Sequence, residues 1–451
     1  MKVTRVKIAV AAVAALALGT TMLSPAQSAT RSTVILHETN PITGLNCGMS
    51  ATNSTTCAAV SYLQGAGFYY YNNKKEVVPN TVFGSYKIVK NTKTDFRVQY
   101  TVNPGRVWSD GVPITGVDLL LSHVLSSSAY SIAAGLGDPA SKTAKPAFES
   151  LGYGGTYDDN VVGEPELSAD QMKVTIRYKM PIANWDLQGP GPSPVHTMIQ
   201  INDGDTKLGT VAEGNAAKAK FLAAFNAKDS TVLKALGKIW TNSYTITTVN
   251  SSTNPLLLVS NGGYIIDNAV AKTSVTLKKN AKYNSGPALQ GDIDTVVFKF
   301  IGDGTAAAQA LANGELDVYA GQATADGVAK LKAIKGVNVV GKEEVAYEHW
   351  DLHYDTVPGE DPYTGLFSVK DGAKSLALRR AFLLGIPRGE IMSKLIAPIN
   401  GVTKPIQSTW LAPGSAAYDK LVASNGSSYY SQGTQEERNK RALGLVQKYY
   451  P

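Results

Sequence analysis

Two cysteines in 451 residues exclude a disulfide-dense miniprotein and any multi-cysteine metal cluster. Charge is sparse: Asp, Glu, Lys and Arg make up 18% of the chain against 43% apolar residues, which excludes both a disordered chain and a coiled coil. Apart from one short apolar run near the N-terminus, nothing approaches the roughly 20 consecutive apolar residues that cross a bilayer. Catalytic signatures are missing too. There is no Gly-x-Ser-x-Gly elbow, no His-Glu-x-x-His, no phosphate-binding loop and no carboxylate pair with a diagnostic spacing. The five histidines, His37, His123, His196, His349 and His353, fall on different expected elements. An enzyme is therefore not expected, nor a resident cofactor. The 43 basic and 36 acidic residues leave a formal charge of +7. Lys2, Arg5 and Lys7 lie in a segment expected to be removed, leaving about +4, too weak to predict a nucleic-acid partner.

What is present points to export. Lys2, Arg5 and Lys7 precede an apolar run over residues 8–18, followed by Gly19, Pro25 and the small residues 26–29. This pattern predicts a secretory signal peptide over residues 1–29, cleaved near Ser28 or Ala29. A twin arginine is missing, so export is expected to be that of an unfolded chain. The first cysteine is Cys47, so no lipid-anchor cysteine is expected at the processed terminus. The expected location is secreted, either periplasmic or at the cell surface. In that oxidising setting Cys47 and Cys57 are expected to pair, which stabilises by roughly 2–3 kcal/mol in the chain-entropy model.

At roughly 100–200 residues per domain the length predicts two to four domains, and 42 Gly, 21 Pro and 22 Tyr suit a loop-rich, strand-containing fold. Alternation predicts strands at residues 85–89, 94–102 and 171–178, an apolar run a buried strand at 33–37, and further strands are expected at 274–278, 294–300, 337–340 and 345–354, with another starting at Phe68. Helices are expected at 58–67, 115–126, 211–237, 305–313, 325–334, 376–384 and 388–396. Thr115 and Asp118 have the spacing of a capping box, and Gly314 that of a helix stop. The mixture without a repeat predicts an α/β fold with mixed sheets.

Several separated stretches, in order, resemble one family. Val107-Trp108-Ser109-Asp110-Gly111-Val112-Pro113-Ile114-Thr115 with Asp118 resembles its aromatic-x-Asp-Gly-x-Pro-x-Thr block. Ser260-Asn261-Gly262-Gly263-Tyr264, followed by Lys279-Asn280-Ala281-Lys282-Tyr283, resembles its Gly-x-Tyr strand entry and Arg-Asn-Pro-x-Tyr. Asn313-Gly314-Glu315-Leu316-Asp317-Val318 is similar to its Ser-Gly-Glu-Ile-Asp. Leu378-Arg379-Arg380-Ala381-Phe382 through Pro387-Arg388-Gly389-Glu390-Ile391 is similar to Val-Arg-x-Ala and Asp-Arg-x-x-Ile, with Pro387 in place of the usual acid. The family is that of the extracellular solute-binding proteins of peptide/nickel-type ABC importers, family 5.

The resemblance implies a two-lobed, periplasmic-binding-protein-like fold (class II, mixed sheets) with an extra domain inserted in lobe I. Carried over, residues 30–67 and 195–320 form lobe I, 68–194 the inserted domain, and 321–451 an incomplete lobe II. In the family a helix resembling residues 435–450 lies midway through lobe II, so the resemblance leads one to expect a truncated chain. It implies a monomeric receptor that captures an oligopeptide between its lobes and delivers it to a membrane permease. A nickel complex or another small solute is the alternative within the family. A secreted hydrolase or a surface adhesion protein is the alternative of another class. Asn46, Ser50, Asn53 and Ser54 occupy the position where family members line the cleft from lobe I, and Tyr319 and Gln322 fall on the first crossing segment. All six are expected ligand contacts.

Two further clusters stand out by their residues alone. On a strand, His349, Asp351, His353 and Asp355 would share one face, with His349 and His353 about 13 Å apart, too far to chelate one ion together. A polar face is expected there rather than a metal site. Trp108 and the Tyr69-Tyr70-Tyr71 run are expected to be structural.

Overall fold

The computed structural model describes residues 32–450 apart from 74–75, 341–347, 357–360, 410, 412 and 414–415. The expected signal peptide and the first three residues of the strand expected at 345–354 lie outside the described residues.

Among the described residues ten strands form three sheets: β1 (Thr33–Glu38), β2 (Tyr69–Tyr71), β3 (Val77–Pro79), β4 (Gly84–Thr92), β5 (Asp95–Val102), β6 (Glu166–Leu167), β7 (Lys173–Tyr178), β8 (Tyr264–Val270), β9 (Ser274–Lys279) and β10 (Thr295–Phe300). The first sheet has the order β1-β10-β9-β8, and β2-β3 is a small ribbon. The third has the order β4-β5-β7-β6 and is antiparallel throughout. In the first sheet β1 runs parallel to β10, while β9 and β8 are antiparallel. The α/β class with mixed sheets is thus what the chain forms.

Alternation explains the third sheet. Phe96, Val98, Tyr100, Val102, Val174, Ile176 and Tyr178 are buried, and the intervening side chains face out. That inner face shares one buried cluster with Met198, Phe221, Phe225, Leu233 and Leu236 on the helices Val195–Asn202, Val211–Ala227 and Ser230–Lys238. The cluster therefore does not stop at residue 194. A second, smaller cluster, with Val60, Ile266, Val275, Leu277, Val296 and Phe298, lies on the first sheet.

The Asp110-Gly111 turn and the helix it launches join the two. Gly111 takes φ +100°, and its amide donates to Trp108 O at 2.8 Å. Thr115 and Asp118 form the expected capping box. The helix they start is a short 3-10 turn, Gly116–Leu119, continued as Leu120–Val124, instead of one helix to residue 126. Asp118 also anchors the core: Trp108 Nε1 donates to it at 3.3 Å and Lys218 Nζ at 2.6 Å, all three side chains being buried. The helix expected over 211–237 is two, because Lys228 adopts left-handed φ 51° and Asp229 restarts the helix by accepting from the Thr231 and Val232 amides.

Beyond residue 320 the chain is chiefly helical. Helix Gly372–Gly385 packs along helix Gln435–Tyr449, and Gln435 Nε2 donates to Leu384 O at 3.0 Å. The strands expected at 337–340 and 345–354 are not formed among the described residues. No described strand lies beside either, and a sequence pattern alone does not make a strand without a hydrogen-bonded neighbour. His349, Asp351, His353 and Asp355 consequently lie in an exposed irregular segment.

Candidate functional site

In a sheet with parallel strands, ligands collect outside the carboxyl ends of those strands. The first sheet has such an edge. Leu36 bridges Val318 in parallel, His37 N donates to Val318 O at 2.9 Å, and the Asp317 amide donates to Ile35 O at 2.9 Å. Ile35 N donates to Asp317 Oδ2 at 2.7 Å, so the Asp side chain closes the pairing that its backbone opens. The crossing segment around residues 316–318 therefore extends the sheet beside β1, and β1, β10 and the crossing segment all end on one side.

Glu38, Ile301 and Tyr319 mark that edge. Ile301 N donates to Glu38 O at 3.0 Å. The Tyr319 ring stacks on buried His37, with centroids 5.0 Å apart and planes 14° apart. His37 Nε2 lies 2.8 Å from Ile301 O, and a carbonyl only accepts, so Nε2 carries the proton. Nδ1 is buried with no hydrogen-bond partner among the described residues. Thr56 Oγ1 sits 3.1 Å from Glu38 Oε2 and 2.9 Å from Asn40 O. Two helices start here: Thr55–Gln64, capped by Ser54, and Gly304–Ala312, capped by Asp303. A Cβ on Gly304 would stand 3.3 Å from the Tyr319 hydroxyl, so that ring reaches the start of the second helix.

The expected contacts divide sharply in this geometry. Tyr319 stands at the edge and Gln322 follows it, exposed. Asn46 is buried, with Nδ2 donating to Trp240 O at 3.0 Å and Oδ1 accepting from the Gly48 amide at 2.9 Å. Ser54 is engaged in its helix cap, accepting from Cys57 N at 3.1 Å. Ser50 and Asn53 are exposed. Cys47 and Cys57 form a disulfide with Cα atoms 5.8 Å apart, tying this loop to the first turn of the helix. Trp108 is 2% exposed, a core residue.

Sequence reasoning missed His37, Glu38 and Thr56. The signal was there in principle: His37 and Glu38 close an apolar strand, and chemistry gathers at strand ends. Which strands run parallel, however, cannot be read before the 282-residue contact between Ile35 and Asp317 is known. Among the described residues no group of three or more His, Cys, Asp or Glu could hold a metal ion, and His349 and Asp351 form an exposed pair at 3.2 Å. No helix among the described residues is long and apolar enough to cross a membrane.

Comparison with known proteins bears on the family and the fold. The family described as bacterial extracellular solute-binding proteins, family 5, matches residues 76–432. Among solved structures, a periplasmic EDTA-binding protein, EppA, superposes with a TM-score of 0.61 at 19% identity, covering 93% of this chain and 64% of its own. The Thermus thermophilus oligopeptide-binding protein, in complex with a pentapeptide, gives 0.56 at 15% identity, covering 92% and 63%. Haemophilus influenzae OppA, in complex with RPPGFSPFR, gives 0.51 at 15%, covering 93% and 67%. This chain thus spans a little under two thirds of the length of the first two. No curated protein matches the sequence.

Proposed function

Because the chain belongs to the bacterial extracellular solute-binding proteins of family 5, we propose that it is the secreted substrate-binding component of an ABC importer, taking oligopeptides and handing them to a membrane permease without covalent chemistry. One observation carries the reading to a site: the crossing segment pairs beside β1 and delivers Tyr319 to the carboxyl edge of the parallel strands. An extended peptide suits that edge, since its backbone groups match the polar ends of strands and helices there, with Glu38 and Thr56 at one side. Ligand contacts are assigned to Tyr319 and Gln322, with Ser50 and Asn53 offering unburied polar side chains from the disulfide-tied loop. Asn46 and Ser54 support that loop. Residues 30–67 and 195–320 are assigned to lobe I, 68–194 to an inserted domain and the chain from 321 to lobe II, whose motion against lobe I closes the site on a ligand with higher affinity for the closed state. A small chelate or metal complex is the second reading, supported by the EDTA-binding relative.

Native mass spectrometry of the secreted protein, followed by thermal unfolding with a defined peptide mixture, tests the proposal. A peptide-sized adduct and a raised midpoint without peptide turnover are expected, and Tyr319→Ala weakens binding by about tenfold. Turnover of the peptides, or a midpoint that no peptide moves, would overturn the peptide reading, and stabilisation by a metal chelate alone would favour the second.

A further inference from the structure

The outer face of the β4-β5-β7-β6 sheet carries an ordered lattice of cations. Register places Lys90 opposite Arg97 and Arg97 opposite Arg177. The next outward row is Lys87, Gln99 and Thr175, with Glu166 beyond, and the third is Ser85, Thr101 and Lys173. With Asp95 at the end of β5, the face holds five cations against two carboxylates, a net +3 on a chain whose formal charge is +7. Like charges directly opposite across a ladder are destabilising unless a counter-charge bridges them.

One carboxylate holds that row together. Asp95 accepts from Arg97 Nε at 3.0 Å, Arg97 Nη2 at 3.2 Å, Lys90 Nζ at 2.5 Å and Arg177 Nε at 3.1 Å. The Arg97 and Lys90 hydrogen bonds hold its carboxyl far below the usual range, so the cluster stays at three cations to one anion down to strongly acid pH. Among the described residues Glu166 pairs with Arg97 alone, at 3.5 Å. Lys87 and Lys173 are exposed and make no ion pair among the described residues.

We propose that this sheet face is a docking surface for the anionic phospholipid surface of a membrane. Charge complementarity selects that partner. The lattice spans about 10 Å across three strands and about 13 Å along them, with a register shift between Ile88 and Lys90 on β4, and its spaced cations can meet several phosphates at once. None of these side chains is aromatic, so the face offers no stacking platform for single-stranded nucleic acid. Side chains between the cations are Gln99, Thr101, Thr175 and Ser85, which can donate hydrogen bonds to phosphate oxygens. The inference is independent of what binds at the β1 edge, because this face lies on a different sheet.

The test is co-sedimentation of the full chain with vesicles of phosphatidylcholine containing phosphatidylglycerol, against phosphatidylcholine alone and against soluble polyphosphate. Binding to the anionic vesicles at low salt, release as salt rises and none to phosphatidylcholine alone are expected. Lys87→Gln with Lys173→Gln should weaken vesicle binding by about 25-fold, at about fivefold per charge, with unfolding and peptide binding unchanged. Equal binding of wild type and the double variant would overturn the proposal, as would retention by polyphosphate but not by vesicles. Should the double variant misfold, wild type against vesicles doped with a cationic lipid decides: exclusion supports the inference and binding ends it.

Discussion

Phe221 and Phe382 are the same side chain on two helices with different fates. Phe221 is fully buried against Phe225 in the large aromatic cluster, while Phe382 is 42% exposed beside Trp350 and Phe367. The contrast holds for the regions around them. Residues 68–259 enclose a continuous core of Phe, Tyr, Trp and aliphatic side chains. Among the described residues after 320, only Leu331, Ala377, Ala381, Leu384 and Tyr418 are buried apolar groups, and Trp350 and Leu366 stand open to solvent. Among the described residues the buried apolar core therefore resides before the crossing segment, and the part after it is held chiefly by surface hydrogen bonds, cation-π contacts and the pairing of helix Gly372–Gly385 with helix Gln435–Tyr449.

The largest effect is expected where the two phenylalanines are truncated. Phe221→Ala should cost about 3–5 kcal/mol in denaturant unfolding, and Phe382→Ala within about 1 kcal/mol. Equal costs would mean that the second region is packed in solution as the first is.

The next expectation follows from His123, buried with Nδ1 2.8 Å from the Tyr157 hydroxyl. Burial pushes its imidazole down to about 4, with the Lys228 charge acting the same way and Asp158 opposing. A depressed histidine is neutral when folded and protonated more readily when unfolded. Its contribution of about 3 kcal/mol is therefore present above pH 6.5 and lost as the pH falls toward 4. Unfolding of the core measured across that window should show the slope, and His123→Gln should flatten it. An unchanged slope in the variant would place the acid sensitivity elsewhere.

The smallest effect compares two capping boxes. Thr210 caps the helix Val211–Ala227 in the core, and Thr434 caps Gln435–Tyr449 outside it. Thr210→Ala should lower global stability by about 1 kcal/mol, whereas Thr434→Ala should change only amide exchange within its own helix. A global loss from the second substitution would show that the two regions unfold as one unit.

How much of this was legible in the sequence depends on the range of the contacts involved. The strands at β1, β4, β5, β7, β9 and β10 and the Thr115–Asp118 box follow from apolar patterning and capping, which are local. The roles of Asp118 and Asp317 were not legible, because Lys218 lies 100 residues from the first and Ile35 lies 282 from the second. The segments at 337–340 and 345–354 misled for the complementary reason: a strand needs a neighbour, and none of the described residues supplies one. At the candidate site Tyr319 was found through a motif resemblance, while His37, Glu38 and Thr56 appeared only once the parallel edge was known.

The pairing of β1 with β10 and with the crossing segment also bears on how the chain comes to be folded. The strand that opens the first sheet is made early, yet both of its neighbours are made near residues 295–300 and 316–318. A nascent chain must therefore keep an apolar segment of Val34, Ile35 and Leu36 without its β10 and crossing-segment neighbours until residues 295–318 have been made. Non-local pairing of this kind is slow and leaves an open strand edge exposed meanwhile. Aggregation during production should therefore be governed by the waiting time of this one strand, and a helper that shields extended apolar chain should matter more to yield than any gain in final stability.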